Sequence, residues 1–392
     1  MLRILRASGL SSSFTPFRAL LSSSSSPDPQ RGLSVVFFGT DDFSLPVLNA
    51  LVEARDCDGS VASIEVVVPK LKDPSAKCTI ESVARSAGLR VHVPNRRTTL
   101  KYWGLPGAPP PGGSDGDGDD DGEPMEIGPR YDVGVVASFG YLIRPHIASA
   151  FRLGIINVHP SDLPRHRGPA PLHHTILAGD TTTAVCLIDV DPTAFDVGAL
   201  LARSPLDLTT LPDTPFPPPL PVLSSTLAGT GGKLVRSALR SWNATLDAAV
   251  DQDRLGAEPS HAPKVSKDDA IVPWATAPAA HVLRLHRAFA GSFDAQAFVT
   301  LPARRKPDGA RKRVKLLELD VVAAGDPAAG DAAQLAPGTI AFDKPRKRLL
   351  VGTADAVGVA VGSLQVEGKA PCSAVDFANA YLRRLLGSGF VV

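Results

Sequence analysis

Several features that would decide the class of this protein are missing from its sequence. Across 392 residues no apolar run approaches the length of a membrane-spanning helix, about 18 residues, so no integral membrane protein is expected. The four cysteines form no Cys-x-x-Cys pair, and none stands beside a histidine at the spacing of metal ligands. We therefore expect neither a disulfide scaffold nor a zinc site.

The sequence also lacks an excess of charge of either sign. It holds 41 Lys and Arg against 40 Asp and Glu, a formal net charge of +1, which gives no overall electrostatic argument for a nucleic-acid partner. This balance averages unlike segments. Residues 261–392 carry 18 basic residues against 12 acidic ones, whereas seven acidic residues and no basic one fall between Asp115 and Glu126. A basic carboxyl-terminal region is therefore hidden by an acidic segment.

Acidic residues are absent from the first 27 positions, which contain Arg3, Arg6, Arg18 and nine serines. An Arg- and Ser-rich, acid-poor start is typical of an organelle transit peptide, although a plain disordered tail has a similar composition. We expect residues 1–33 to be a disordered transit peptide. The expected destination is the mitochondrial matrix, with the chloroplast as the alternative.

The chain does contain short apolar runs that alternate with helical stretches. Strands are predicted over residues 34–39, 64–68, 131–137, 154–159 and 184–190, and a helix over residues 82–88. This alternation predicts an α/β fold with a Rossmann-like, open and mostly parallel sheet. Functional groups of such sheets lie at the carboxyl ends of strands, and this rule places Gly39, 138–141, His159 and 191–196 on one rim.

The carboxyl-terminal part has a different pattern. Short alternating runs over residues 293–299, 314–319, 339–342, 349–351 and 357–361 predict a small OB-like β-barrel, closed by a helix over residues 374–386. Between the two parts, residues 204–232 are rich in Pro and Gly and favour a linker, followed by a helix near residues 232–249. The predicted division is 34–203 for the first domain, with a disordered acidic insert at 104–129, then a linker and connecting helix at 204–260, and the barrel at 261–392.

One set of polar residues suits catalysis. Asn157 and His159 are two apart at the end of a predicted strand and so share a face, and Asp196 follows the next strand. An amide, an imidazole and a carboxylate suit group transfer through a tetrahedral intermediate: the amide stabilises the oxyanion, the imidazole moves a proton or assists, and the carboxylate orients the imidazole. Taken alone, an N-x-H pair on a strand is more often structural than catalytic, and Asp196 alone could cap a helix.

The surrounding sequence favours the catalytic interpretation. Residues 157–171, NVHPSDLPRHRGPAP, resemble the signature N-x-H-x-S-L-L-P-x-x-R-G of the folate-dependent formyltransferases. The RGPAP run most resembles the mitochondrial members that act on methionyl-tRNA. Further similar segments are 38–43, 136–143, 177–180, 195–198, 264–274, 284–289 and 337–340.

The resemblance implies that the formyl group of 10-formyltetrahydrofolate passes to the α-amino group of methionyl-tRNA, with Asn157, His159 and Asp196 as catalytic residues and without a metal. The expected partners are methionyl-tRNA and the folate co-substrate, with no membrane, for a monomeric enzyme. The implied folate-binding residues are Phe139, Gly140, Tyr141, Leu142, Ser161, Asp162, Leu163 and Pro164. The expected contacts to the acceptor and its tRNA are Gly39, Thr40, Arg165, Arg167, Gly168, Arg311, Lys312, Arg313, Lys315, Arg346, Lys347 and Arg348.

The sequence departs from the family pattern at three places. Asp162 stands where an apolar residue is usual, His166 replaces a more common aromatic residue, and the loop at 69–77 is shorter and less basic than the tRNA-contacting loop of bacterial relatives. A basic run on a hairpin is also commonly only a solvated face, so the tRNA role of the barrel is an expectation from the family.

Alternatives remain open at this point. Another enzyme that uses 10-formyltetrahydrofolate is possible, either a hydrolase of that compound or a formyltransferase acting on an amino sugar or on glycinamide ribotide. The hydrolase domain leads a longer chain and carries a different residue pair before the histidine. An amino-sugar enzyme would lack the basic barrel and the transit peptide. A tRNA-binding protein without catalysis would not need Asn157, His159 and Asp196 together.

Overall fold

The structure is a computed structural model of the chain. It describes residues 31–70, 78–94, 100, 103–105, 130–303, 306–382 and 389–390, without the side chains of 302–309. Residues 1–30 of the predicted transit peptide, 106–129 of the predicted acidic insert and 71–77 of the loop at 69–77 lie outside the described residues. Leu105 is buried, so the folded chain extends beyond the predicted start of the insert at residue 104.

The first sheet has seven strands in the order β3-β2-β1-β4-β5-β6-β7. Neighbours from β3 to β5 run parallel, whereas β6 is antiparallel to β5 and β7 to β6. This arrangement confirms the predicted Rossmann-like, mostly parallel sheet. The strands are β1 (Leu33–Gly39), β2 (Val61–Val67), β3 (Arg90–His92), β4 (Val133–Ala137), β5 (Ile155–His159), β6 (Thr182–Asp189) and β7 (Leu200–Asp207).

Both faces of this sheet are covered, which is why its central strands are apolar throughout. In β1, Val35 and Phe37 face one apolar cluster, and Val36 and Phe38 face another. The helices of this part are α1 (Ser44–Glu53), α2 (Thr79–Ser86), α3 (Pro145–Ala148), α4 (Pro171–Ala178), α5 (Leu220–Arg240) and α6 (Trp242–Asp247).

Helix α5 occupies part of the segment that the sequence predicts to be a linker. It begins at Leu220 inside the span predicted as linker, 204–232, and ends at Arg240, and β7 runs through the predicted boundary at 203. Its glycines are contact positions: a Cβ on Gly231 would lie 2.5 Å from Val158 Cγ1 of β5, and one on Gly232 would lie 2.9 Å from the Pro46 carbonyl oxygen of α1. Glycine weakens an isolated helix, but at these two positions it lets α5 approach β5 and α1 closely.

The second sheet is antiparallel, in the order β10-β11-β12-β9-β8, with β13 paired to β12, and curls into a half-barrel as the sequence predicted for the carboxyl-terminal part. Its strands are β8 (Ala295–Ala303), β9 (Lys306–Val321), β10 (Ile340–Asp343), β11 (Arg348–Val351), β12 (Val359–Val366) and β13 (Cys372–Ser373). Its helices are α7 (Ala279–Phe289), α8 (Ala329–Ala333) and α9 (Ala374–Ala380).

A continuous apolar core joins the two sheets. It extends from β1 and α1 through α5 and α7 to the second sheet, with Phe289 fully buried. Helix α7 packs on α4, so the half-barrel is attached directly behind the segment that follows β5. Within the described part of the chain, no helix is long and apolar enough to cross a membrane.

Candidate active site

Strand β5 carries the centre of the site. Asn157 is half-buried and His159 is 4% exposed at the carboxyl end of the strand, and their side chains share one face. In the β5–β6 ladder they stand opposite Ile188 and Cys186, both buried. Burial raises the pKa of the Cys186 thiol to about 12, and the Asp162 charge acts in the same direction. This thiol therefore stays protonated and is part of the apolar floor rather than a nucleophile.

Asp196 reaches this pair from the opposite direction to the one predicted. Because β6 runs antiparallel to β5, residues 190–199 leave the sheet beside the start of β5 and fold back over its face. The segment therefore leaves the sheet at the opposite edge from the one expected, whereas Asp196 itself returns to the expected rim beside His159. Asp196 Oδ1 nevertheless lies 3.4 Å from both His159 Nδ1 and Asn157 Nδ2. Its backbone is left-handed, with φ of 58°, a strained conformation that the surrounding contacts must hold.

The imidazole of His159 stands between two acceptors. Its Nε2 lies 3.2 Å from the carbonyl oxygen of His166, and its Nδ1 faces the Asp196 carboxylate. A neutral imidazole has one N–H and can donate to only one of them, whereas the imidazolium donates to both. The two contacts fix the imidazole ring between the loop after β5 and the Asp196 carboxylate.

The loop after β5 is fixed by its own side chains. Ser161 Oγ donates to the Arg165 carbonyl at 2.8 Å. His166 Nε2 and Arg165 Nη2 lie 2.7 and 2.6 Å from the two oxygens of Asp180, just after α4. The side chain of His166 thus holds the carbonyl that faces His159, which is a structural reason for a histidine where an aromatic residue is more common.

A later segment of the chain backs the same loop. Ala262 N donates to the Arg167 carbonyl at 2.6 Å, and Arg167 N donates to the Ser260 carbonyl at 2.9 Å. Gly168 has φ of 122°, and a Cβ there would lie 2.7 Å from the Ala262 oxygen, so only glycine fits. The Gly168 N–H donates to Asp196 Oδ2 at 2.9 Å. The loop, the backing segment and Asp196 are therefore one hydrogen-bonded unit.

The loop after β4 forms the other side of the site. Phe139 is buried edge-on against Phe38 at 5.3 Å, and its carbonyl accepts from Thr40 Oγ1 at 3.5 Å, beside Gly39. Gly140 has φ of 67° with open space around it, Leu142 is half-buried, and Tyr141 is 42% exposed. Gly140, Tyr141 and Leu142 are therefore the accessible members of this predicted folate group.

The remaining residues predicted to bind folate are buried or already have partners within the protein. Leu163 and Pro164 are buried, and Ser161 is held as described above. Asp162 accepts two hydrogen bonds from Arg203 of β7, at 2.6 and 2.8 Å, and this contact raises the pKa of the guanidinium. The charge that departs from the family pattern is thus balanced by an arginine on the outermost strand.

The basic residues of the half-barrel fall into two groups. Arg311 and Arg313 of β9 lie over the Phe298 ring at 4.0 and 5.7 Å, and Lys312 stands between them on the opposite face of the strand. Lys315 Nζ lies 3.0 Å from Asp294. The first three cations therefore remain available on the hairpin, while Lys315 has a carboxylate partner.

The second group surrounds the β10–β11 turn. Arg348 bridges Asp326 and Asp343 at 2.6 and 3.0 Å, and Arg346 lies 3.3 Å from Asp343. Lys347, at the tip of the turn, has φ of 55° and an exposed side chain. Arg346 and Arg348 thus hold the turn together, and Lys347, like Lys344, is exposed.

Three residues that hold the candidate site in place were not identified from the sequence. Gln252 binds the Arg167 guanidinium, Arg203 binds Asp162, and Asp180 binds Arg165 and His166. Asp180 lies in a segment noted for its family resemblance, which could have suggested it. Nothing local marks Gln252 or Arg203, because their partners are about 40 or more residues away. Within the described residues, no group of three or more His, Cys, Asp or Glu side chains could hold a metal ion.

Comparison with known proteins finds a family match in each of the two parts of the chain. The Formyl transferase family model matches residues 128–215, and the model for the Formyl transferase C-terminal domain matches residues 264–382. Among solved structures, WlaRD, a sugar 3N-formyl transferase crystallised in the presence of dTDP and 5-N-formyl-THF, has a TM-score of 0.51 and 12% identity, covering 87% of this chain and all of its own. That similarity shows a shared formyltransferase fold.

Relatives of closer sequence carry a common name. The mitochondrial methionyl-tRNA formyltransferases of Homo sapiens and Rattus norvegicus are 31% and 32% identical to this chain over 350 and 353 residues, 89% of this chain and 77% and 78% of theirs. The methionyl-tRNA formyltransferase of Rickettsia bellii is 28% identical over 245 residues, 62% of this chain and 69% of its own. With both family domains present and the Asn157, His159 and Asp196 cluster assembled in the first of them, this chain belongs to the methionyl-tRNA formyltransferase family.

Proposed function

We propose that this protein transfers the formyl group of 10-formyltetrahydrofolate to the α-amino group of methionyl-tRNA, which supplies formylmethionyl-tRNA for translation initiation in an organelle. The observation that carries the proposal is the convergence of Asn157, His159 and Asp196 from β5 and the 190–199 loop. Membership of the family supports the choice of donor and acceptor.

The reaction needs no covalent intermediate on the enzyme. The neutral amine attacks the formyl carbon, the C=O bond becomes a C–O⁻ bond, and a tetrahedral intermediate forms. The bond from that carbon to N10 of the folate then breaks, the oxyanion returns to a carbonyl, and N10 takes up a proton equivalent to the one lost by the amine. An α-amino group has an ordinary pKa of about 7.7–8.0, so much of it is already neutral at slightly alkaline pH. Catalysis then depends on placement, oxyanion stabilisation and proton transfer.

The three catalytic residues divide this work. The Asn157 amide and the Nε2 side of His159 donate to the developing oxyanion, because both lie on the same face at the end of β5. The bond from Nε2 is shared with the His166 carbonyl, which lies 3.2 Å away. Asp196 orients the imidazole and accepts the proton that the amine nitrogen loses once the C–N bond has formed. The Asp196 carboxylate lies 3.4 Å from both His159 Nδ1 and Asn157 Nδ2, and this arrangement supports the assignment of roles.

We place the folate beside the β4 loop, where Gly140, Tyr141 and Leu142 are accessible, with 190–196 enclosing it from the other side. Phe139, Ser161, Leu163 and Pro164 shape the wall from buried positions, and Asp162 is neutralised by Arg203. Because these residues are buried or already paired within the protein, they contribute to the shape of the site rather than to direct hydrogen bonds with the folate.

We assign tRNA contacts to the half-barrel, where Arg311, Lys312, Arg313 and Lys347 are the basic residues best able to reach phosphates. Arg165 and Arg167 have partners inside the protein and act on the acceptor end by shaping the loop that carries Gly168. The mitochondrial relatives and the Arg- and Ser-rich start support the mitochondrial matrix as the location.

The proposal is tested by incubating the purified protein with 10-formyltetrahydrofolate and charged methionyl-tRNA and measuring formylmethionine. Wild-type protein should form it. His159→Ala should lower turnover by about 10²–10⁴-fold with unchanged circular dichroism, because a proton-transfer and oxyanion donor is lost. His281→Ala, on α7 in the second part of the chain, is the matched control and should keep normal turnover. No product from the wild type, or near-normal turnover of the His159 variant, would contradict the proposal.

A further inference from the structure

Gln252 is a buried amide that belongs to neither sheet, yet it lies at the base of the candidate site. It begins a short 3-10 turn, Gln252–Leu255, and is 3% exposed. Its Nε2 donates to the carbonyl oxygens of Asp196 and Gly198 at 3.0 and 2.8 Å. Its Oε1 accepts from Nε and Nη2 of Arg167 at 3.0 and 2.7 Å.

These contacts use the whole hydrogen-bonding capacity of the amide: two N–H groups and two lone pairs. They also fix its orientation, because a flipped amide would point its oxygen at two carbonyls and its N–H groups at a guanidinium. Since a buried polar group without partners is unfavourable, Gln252 stays in place only while Arg167 and the 196–198 backbone stay in place. The amide therefore sets the distance between two segments.

Those two segments are the ones that determine where the Asp196 carboxylate lies. Gly168, which donates to Asp196 Oδ2, directly follows Arg167, and the left-handed backbone of Asp196 is held through its carbonyl oxygen. A left-handed conformation at a non-glycine residue is unfavourable and persists only if its surroundings impose it. Gln252 supplies that restraint from outside the 190–199 loop.

We propose that Gln252 is a positioning residue for formyl transfer, which holds the Asp196 carboxylate within reach of His159 and Asn157 by linking Arg167 to the Asp196 backbone. This inference rests on the proposed function. Without Gln252, the carboxylate relaxes away from the imidazole, so the chemical step slows. The described residues of the loop after β4 and of the β8–β9 hairpin make no side-chain hydrogen bond with Gln252, so their contributions to folate and tRNA binding remain.

Two substitutions test the two sets of hydrogen bonds of the amide, those with Arg167 and those with the Asp196 and Gly198 carbonyls. Gln252→Met keeps the volume and removes all four hydrogen bonds, so it should lower kcat by about 10–100-fold with KM for both substrates changed less than about threefold. Gln252→Glu keeps an acceptor for Arg167 but places an oxygen against the two carbonyls, so it should also lower kcat, and it remains informative if the methionine variant does not fold. Gln334→Met, at the exposed end of helix α8, is the control and should match the wild type.

A double-mutant cycle distinguishes positioning from a general structural role. If Gln252 acts through Asp196, then adding Gln252→Met to Asp196→Asn should lower the residual kcat by less than about threefold, because the positioned group is already gone. The same 10–100-fold loss in both backgrounds, or a loss confined to KM, would overturn the inference. A wild type that forms no formylmethionine would instead overturn the proposed function, so the two failures are distinguishable.

Discussion

At the scale of single residues, the loop that carries Asp196 starts at a carboxyl group with unusual titration. Burial raises the pKa of Asp189 to about 6 from an ordinary value of 3.8, and the charge of Asp191 acts in the same direction, whereas a hydrogen bond from the backbone of Val190 opposes it. The backbone of Asp189 also closes the loop, because its N–H donates to the Ala199 carbonyl at 2.9 Å. The folded protein therefore holds an unfavourable negative charge there at neutral pH.

The sign of the pH effect follows from this shift. A carboxyl group whose folded pKa is raised stabilises the fold fully below the unfolded pKa, and that contribution is lost as pH rises through 6. Asp189→Asn, neutral throughout, should therefore raise the free energy of unfolding by about 1–3 kcal/mol at pH 7.5 and by roughly half as much at pH 5. Urea denaturation at both pH values measures it.

The exposed Asp253→Asn serves as the control for this substitution. It should shift stability equally at the two pH values, because no buried charge is removed. An equal gain for Asp189→Asn at pH 5 and pH 7.5 would show that the carboxylate of Asp189 is not the cause.

Single residues were predictable where local spacing carries the information. Asn157 and His159 share a strand face, and Asp196 lies in a segment with its own family resemblance, so their proximity could be inferred before the fold. Gln252 could not be, because an isolated glutamine carries no pattern and its partners Arg167 and Asp196 are far away in sequence. Hydrogen bonds that link distant segments exist only once the chain is folded.

At the scale of elements, α5 shows how glycine can conceal a helix. Gly231 faces Val158 on β5, next to the strand residue His159, whereas a Cβ added to Gly229 of the same helix would meet no atom within 4 Å. The two glycines have the same intrinsic helix propensity, so any difference between them reports the contact with the sheet.

Substituting each glycine separately measures that contact. Gly229→Ala should raise the free energy of unfolding by about 0.5–1 kcal/mol, because alanine favours the helix. Gly231→Ala should lower it by about 1–3 kcal/mol despite the same gain in propensity, because its methyl group would overlap Val158 and push α5 from the sheet. Thermal or urea denaturation of both variants gives the comparison, and equal effects would mean that α5 does not pack tightly on β5.

The strands were easier to predict than their directions. Runs such as Val35–Phe38 are apolar because both faces of the sheet are covered, and that pattern is visible in the sequence. The same pattern in β6 gives no indication that it runs antiparallel to β5, because burial on both faces is alike in either direction. Strand direction depends on how the connection crosses the sheet, which is a property of the tertiary fold.

At the scale of the whole molecule, the near-neutral charge conceals an uneven distribution. Residues 261–392 carry 18 basic and 12 acidic residues, and the described part of this region places Arg311, Lys312 and Arg313 together on one hairpin. Arg346 and Arg348 have carboxylate partners, so charge in sequence overstates the charge available to a polyanion. The hairpin is therefore the part of the half-barrel where tRNA binding should depend most on salt.

Charge reversal on the hairpin tests this. Arg311→Glu and Lys312→Glu should weaken tRNA binding, and each lost phosphate contact should reduce the slope of log affinity against log salt by about one. Arg55→Glu makes the same charge change in the turn between α1 and β2, at the amino edge of the first sheet, and should leave the slope unchanged. A wild-type slope in the hairpin variants, or the same reduction for Arg55→Glu, would rule out these contacts.

Residues 250–262, which lie against the loop after β5, limit where the chain can be cut or recombined. After β7, Val250 bonds to Leu200, Gln252 bonds to Asp196, and Ala262 bonds to Arg167. Most of this segment falls in the predicted linker, 204–260. A fragment that stops before residue 250 would lack one wall of its own site. Recombination between relatives should therefore preserve activity when the crossover falls after residue 262, and lose it when residues 250–262 come from a different parent than β5 and its loop.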